Sequence, residues 1–223
     1  RGESGEGSLA IESLSVRAPA SERMLVERLD LQLKAGESLL ITGTSGSGKS
    51  SLLRAIAGLW TDGSGQVMHP PDRDVFFLPQ KPYLQPGTLR SQLVYPATQS
   101  ELSDERLLEI LQEVQLPDLA QRVGGLDAVQ DWGKLLSGGE QQRMAFARLL
   151  VHAPRMAILD EATSALDDAN EKRLYQRLRD RGITLVSIAH RAAVRRFHRR
   201  VLKLEGNGRW KVEDVAQESR GGP

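Results

Sequence analysis

The chain contains no cysteine, which excludes disulfides and thiolate-ligated metals and fits a reducing compartment. Aromatic residues make up only 4% of the 223 residues, and none stands before Trp60. Long apolar runs are missing as well. The compact ones, such as Leu39-Leu40-Ile41 and Ala157-Ile158-Leu159, have the length of buried strands, far short of the roughly 20 residues that a membrane-spanning helix needs. Neither sign of charge prevails: 30 basic residues meet 29 acidic ones. That balance offers no general reason to expect nucleic acid as a partner. No internal repeat is visible. Residues 1–8 (RGESGEGS) have no apolar core and read as a linker, and residues 216–223 (AQESRGGP) are polar and expected to be disordered.

Between those ends, the periodicity changes along the chain. Leu9 to Val16 alternates apolar and polar residues, as a half-buried strand does. Met24 to Leu33 alternates similarly and is expected to pair with it in an antiparallel patch. Ser38 to Thr42 predicts a short buried strand, followed by a glycine-rich loop and a helix from about Lys49 to Gly58. Val75 to Leu78 predicts another buried strand. From about residue 88 to 150 the period is helical. Leu102, Leu107, Leu108, Leu111 and Val114 suit an amphipathic helix capped by Ser103. Val129 to Lys134 reads as a loop, and a helix runs on from Gly139. Strand and helix then alternate: Met156 to Asp160, Ala169 to Arg181, Ile183 to Ile188. Val201 to Leu204 and Arg209 to Val212 predict a closing hairpin. Strands and helices alternating around a glycine-rich loop imply an α/β core. With the glycine-rich loop reading Gly43-Thr44-Ser45-Gly46-Ser47-Gly48-Lys49-Ser50 between a predicted strand and a predicted helix, the expected architecture is a phosphate-loop NTPase core over residues 9–215, with an antiparallel β patch and an inserted helical subdomain.

Gly43-Thr44-Ser45-Gly46-Ser47-Gly48-Lys49-Ser50 fits G-x-x-x-x-G-K-[ST] at every fixed position. It stands between a predicted strand and a predicted helix, the context the motif requires. Glycines let the backbone turn its N–H groups inward towards phosphate oxygens, and the helix N-terminus adds its positive end. Lys49 is expected on the β- and γ-phosphates, Ser50 on Mg²⁺, and Ser51 beside it in the first helical turn. Met156-Ala157-Ile158-Leu159-Asp160-Glu161 is an apolar strand ending in two carboxylates. A parallel core strand delivers its C-terminal end to the ligand crevice. Asp160 is therefore expected to hold Mg²⁺, directly or through its water shell, and Glu161 to polarise the attacking water as general base.

Leu136-Ser137-Gly138-Gly139-Glu140-Gln141-Gln142-Arg143 resembles the LSGGQ-type signature of ATP-binding-cassette proteins. A serine and two glycines at a helix start make a second γ-phosphate site. Because one cradle already serves the triphosphate, the second makes sense if Ser137, Gly138, Gly139 and Glu140 serve another subunit's nucleotide. Other family marks fall in order. Gln80 matches the Q-loop glutamine, which approaches Mg²⁺ and senses transport segments. Ser164-Ala165-Leu166-Asp167 matches the D-loop, and His190 the switch histidine on the γ-phosphate. The stretches Phe77 to Tyr83, Gly87 to Arg90, Tyr95-Pro96, Asp131-Trp132, Val201 to Leu204 and Gly208 to Trp210 are similar to half-transporters of the peroxisomal and lysosomal D subfamily and their bacterial relatives. Those move acyl-CoA esters, cobalamin or peptides. The resemblance implies an ATPase with ATP and Mg²⁺, a head-to-tail homodimer, a transmembrane domain N-terminal to the cassette, and a place on the cytoplasmic face of a membrane.

Two features depart from the pattern. Most cassettes stack adenine on an aromatic residue ahead of the phosphate loop. With none here, Arg17, or the aliphatic and proline surface beside it, is expected to cover the base. Arg191, Arg195 and Arg199 stand at four-residue spacing, which on a helix lines one face; a solvated face is the first reading and contact with anionic headgroups or a partner the second. The alternative function class is a soluble cassette ATPase of DNA repair or translation. Repair cassettes carry long coiled coils between phosphate loop and signature, for which the 88 residues from Lys49 to Ser137 leave no room. Translation cassettes usually come two to a chain.

Overall fold

The computed structural model describes residues 2–3, 7–19, 21–60 and 62–215. The chain opens with β1 (Gly2–Glu3), β2 (Leu9–Arg17), β3 (Met24–Leu33) and β4 (Ser38–Gly43). The phosphate-loop motif then leads into α1 (Lys49–Ile56), followed by β5 (Gly63–His69) and β6 (Val75–Leu78). The middle comprises β7 (Gly87–Thr88), α2 (Leu89–Val94), α3 (Asp104–Glu113), α4 (Leu119–Val123), β8 (Val129–Gln130), α5 (Trp132–Leu135) and α6 (Gly138–His152). Then come β9 (Met156–Asp160), α7 (Asp168–Asp180), β10 (Thr184–Ile188), β11 (Arg200–Gly206) and β12 (Arg209–Asp214).

The central sheet has the order β12-β11-β4-β10-β9-β6, parallel throughout except for the β11–β12 hairpin. Every residue of β9 and β10 is buried, as expected of strands covered on both faces. Their side chains divide between two cores. Met156, Ile158, Val186 and Ile188 join Leu52, Leu53 and Ile56 of α1 and the apolar face of a second sheet, β1-β5-β2-β3. Ala157, Leu159 and Leu185 face α6 and α7. The strands are thus a common wall, with a mixed β layer on one side and helices on the other.

α6 and α3 differ in how their sequence maps to burial. In α3 the inner positions are Leu107, Ile110 and Leu111, with Val114 following, while Leu108 is 37% exposed. The 3.6-residue period selects i, i+3, i+4 and i+7 and rotates Leu108 outward, which corrects its assignment to the inner face. Ser103 caps the helix by accepting from the Arg106 N–H. The segment read as a loop over 129–134 instead holds β8 and the start of α5. Its organiser is Trp132, fully buried with its indole N–H on the Gly87 carbonyl at 2.8 Å.

β5 carries no apolar signature because its first four residues are exposed; it exists by pairing with β2. Within the stretch expected as a linker, Gly2–Glu3 pairs with Met68–His69, and the Gly7 carbonyl accepts from the Thr184 hydroxyl at 2.7 Å. The tail expected to be disordered, residues 216–223, lies outside the described residues. The arginine run does not form a helix face. Ala192–Phe197 is a 3-10 turn and Arg200 already belongs to β11, because Val194, Phe197 and His198 must all reach the core. Arg191, Arg195 and Arg199 meet acids on different elements: Asp168 and Glu171, Glu213, and Glu37.

Candidate functional site

Parallel pairing gathers the predicted residues at one end of the sheet. Ile41 of β4 stands beside Ile188 of β10, Ile188 beside Asp160 of β9, and Leu159 beside Leu78 of β6. The phosphate loop, Asp160-Glu161, Gln80 and His190 all follow from these strand ends.

The loop from Gly43 to Ser50 depends on backbone shape. Gly48 has φ 99°, and a Cβ there would lie 2.8 Å from Leu25 Cβ. At Gly43 a Cβ would meet the Ser47 hydroxyl at 2.6 Å. Lys49 is 8% exposed, with its ammonium on the Gly43 and Thr44 carbonyls at 2.9 and 3.0 Å. Ser47 Oγ is buried and has no hydrogen-bond partner among the described residues. Helix α1 begins without a side-chain cap and without an acid in its first turn. Thr44, Ser45 and Gly46 are exposed, and Ser51 is half-buried within α1. An uncapped helix start, an unpartnered hydroxyl and a restrained cation form a cradle suited to a polyphosphate.

Ser50 Oγ donates to Asp160 Oδ1 at 3.3 Å. Burial pushes the Asp160 carboxyl above its ordinary range, the Ser50 hydrogen bond pulls it back, and neighbouring Glu161 raises it again. A buried carboxylate disfavoured in this way gains from a cation. Among the described residues no group of three or more His, Cys, Asp or Glu could hold a metal ion. The hydroxyl–carboxylate pair fits a Mg²⁺ that would take its remaining ligands from phosphate and water.

Glu161 has φ 51°, a conformation that costs a bulky residue about 1–3 kcal/mol and persists where its surroundings impose it. Its N–H is held by the Ile188 carbonyl at 3.1 Å, and its carbonyl accepts from Ser164 N at 3.1 Å. Its carboxylate meets His190 Nε2 at 2.7 Å. The structure thus brings the expected base and the expected switch histidine into contact. The Gln80 backbone carbonyl accepts from the Gln142 side chain at 3.0 Å.

The signature lies apart from this cluster, at the start of α6. Ser137 and Glu140 form a capping box: the serine hydroxyl accepts from Glu140 N, and the Glu140 carboxylate accepts from Ser137 N. Burial would raise the Glu140 carboxyl, but the Ser137 N–H and the Arg122 guanidinium, 2.7 Å away, hold it below the usual range. Gly138 and Gly139 form the first turn.

Arg17 ends β2 with its side chain exposed; its N–H donates to the Asp62 carbonyl and its own carbonyl accepts from Trp60 Nε1 at 3.2 Å. Arg23 touches the phosphate loop, its guanidinium donating to the Gly46 carbonyl at 3.2 Å. Sequence reasoning missed Arg23 and Arg122, and quoted Gln142 within the signature without giving it a role. Each is polar in a polar stretch, so no pattern separates it from a solvated residue.

A family model described as "ABC transporter" matches residues 26–164. An ABC transporter ATP-binding protein of Synechocystis sp. is 52% identical over 208 residues, covering 93% of this chain and 32% of that protein. The lysosomal cobalamin transporter ABCD4 of Homo sapiens is 42% identical over 226 residues, covering 97% of this chain and 37% of that one. The chain thus spans about a third of the length of these relatives. A solved bacterial Atm1-family ABC exporter with ATP bound superposes with a TM-score of 0.81 at 26% identity, over 94% of this chain and 39% of that one. With the nucleotide cradle, the acid pair and the signature on one α/β scaffold, the chain belongs to the ABC transporter family as an ATP-binding domain.

Proposed function

We propose that this chain is the engine of a membrane transporter, hydrolysing ATP as a head-to-tail pair that closes on two Mg-ATP. One observation carries the reading: the described residues hold two helix starts suited to phosphate, and among them only one has chemistry beside it. The α1 start has Lys49, Asp160, Glu161 and His190 at hand. The α6 start has Ser137, Gly138 and Gly139 and is closed by its own capping box. Stacking two copies head to tail completes each site with the other's signature.

In this arrangement Lys49 and the loop N–H groups bind the β- and γ-phosphates. Ser50 and Asp160, with Gln80, would hold Mg²⁺, which would supply charge stabilisation to the phosphates. Glu161 accepts the proton of the attacking water, and His190 orients that carboxylate and meets the γ-phosphate. Arg17 borders the base. ATP joins the two surfaces, and loss of its γ-phosphate lets them part.

The coupling point on this reading is a groove of about 320 Å³ beside the Q-loop, lined by Phe77, Pro79, Pro82, Tyr83, Tyr95 and Arg148. Tyr83 is 58% exposed there. The buried Arg148 guanidinium, brought down to about 10 by desolvation, holds the Tyr83 carbonyl at 2.7 Å. With the cassette on the cytoplasmic face of the membrane, a transmembrane domain N-terminal to it would press on this groove.

Glu161→Gln tests the shared site. Light scattering in Mg-ATP should find a stable dimer with turnover lost, and in Mg-ADP a monomer. A variant that stays monomeric at saturating ATP and high protein concentration would refute the pairing.

A further inference from the structure

We propose that Gln142 is a positioning residue that ties the Q-loop to the D-loop and thereby couples the two nucleotide sites of a pair. The inference rests on the shared-site reading above. Gln142 lies on α6, the helix that starts with the signature, and is 3% exposed. Its amide nitrogen donates to the Gln80 carbonyl and to Ser164 Oγ, both at 3.0 Å. Its amide oxygen accepts from the Ala165 N–H at 2.8 Å. Both amide hydrogens are used, and the orientation is determined: a flipped amide would set NH₂ against the Ala165 N–H.

A second observation joins the same parts. A Cβ on Gly139 would stand 3.1 Å from the Ala165 carbonyl oxygen, and one on Gly138 3.7 Å from Ala165 Cβ. The signature turn therefore lies directly against the D-loop. Ser164 is in turn bound through its N–H to the Glu161 carbonyl at 3.1 Å. One buried side chain thus fastens the Gln80 segment, which serves the chain's own nucleotide, to the turn that carries its general base and to the helix start that serves the other copy's nucleotide. A buried network of this kind moves as a unit or breaks. Displacement of the Q-loop must then be felt at Ser164 and at the signature together.

Gln142→Glu separates these links. The carboxylate still accepts from the Ala165 N–H and the Ser164 hydroxyl, but it repels the Gln80 carbonyl. Expected for the variant are a lowered melting midpoint, because a carboxylate is buried against a carbonyl, and single-chain ATP affinity within about twofold, measured under the Glu161→Gln background at low protein concentration. In the Glu161-containing chain, kcat should fall about tenfold or more, and the Hill coefficient for ATP should drop from above one to one. Ser164→Ala, which removes only the hydroxyl contact at an exposed loop residue, should shift the Hill coefficient the same way by a smaller step. It stands in if Gln142→Glu fails to fold.

A fall in kcat with an unchanged Hill coefficient would mark Gln142 as merely structural and overturn the coupling. Unchanged kcat and Hill coefficient in both variants would overturn it equally. If the parent itself forms no ATP-dependent dimer, the shared-site reading fails and takes the coupling with it. A parent that dimerises beside variants of unaltered cooperativity removes the coupling alone.

Discussion

The helix that follows the phosphate loop and the helix that begins in the signature are started in opposite ways. At α1 the N-cap is a glycine in the left-handed region, no side chain caps the helix, and no acid stands in the first turn. At α6 a serine and a glutamate close a complete capping box, and Arg122 holds the glutamate from outside. The first leaves its N–H groups without a side-chain acceptor. The second satisfies part of its own and presents a finished surface. A helix N-terminus alone does not specify a role, since both ends have the same dipole. What differs is how much of the end the protein has already used. The α1 end has no side-chain cap, whereas the α6 end is capped from within its own first turn.

Gly48→Ala should separate them most strongly. The new methyl group would press into Leu25 at φ 99°, combining a left-handed penalty with overpacking. ATP affinity measured by titration calorimetry should fall about 100-fold, near 2.7 kcal/mol, while melting of α6 is untouched. If Gly48→Ala binds ATP normally, the loop is not the cradle described.

A control far from both helix starts comes next in size. His198 is buried against Tyr175 with Nδ1 on the Val194 carbonyl, and desolvation lowers its pKa from 6.5 to about 4. The unfolded chain therefore binds more protons between those values, so stability falls as pH drops from about 6.5 towards 4. From pH 7.5 to pH 5 this one group should remove about 2 kcal/mol, at roughly 1.4 kcal/mol per unit. His198→Leu should flatten that slope in denaturant melts, whatever its stability at neutral pH. An unchanged slope would show that another group drives it.

Base selectivity tests the α1 side more gently. With no aromatic residue ahead of Trp60, one stacking contact worth roughly 1–3 kcal/mol is missing. GTP should bind within about tenfold of ATP in the same calorimeter; a large preference for ATP would contradict that picture. The smallest change is expected at α6. Glu140→Ala removes half of the capping box and should lower stability by about 1 kcal/mol. It should also weaken the Mg-ATP dimer of the Glu161→Gln chain. No loss of either would mean that the capping box is ornamental.

Legibility in the sequence followed the range of the interaction. The phosphate loop, the acid pair and the signature are runs of neighbours, and their elements formed where periodicity placed them: β4, α1, β9 and α6. The arginine run misled because four-residue spacing lines a face only while the chain stays helical. Burial of Val194, Phe197 and His198 ends the helix after a short 3-10 turn. β5 was invisible because its exposed polar residues owe their conformation to β2 rather than to their own pattern.

The sequence by itself determined the chemistry: a cation, a hydroxyl and two carboxylates at strand–loop junctions whose spacing along the chain is characteristic of one family. Short-range order suffices for this because each motif is bonded to its own strand or helix. Tertiary structure alone decided which of these groups touch. Glu161 meets His190 across 29 positions, and Ser50 meets Asp160 across 110, because parallel strands β4, β10 and β9 end side by side. It also decided that Gln142, one glutamine among polar neighbours, should be buried between two loops. Hydrogen-bond partners so distant in sequence are set by sheet register and helix packing, which no local pattern encodes.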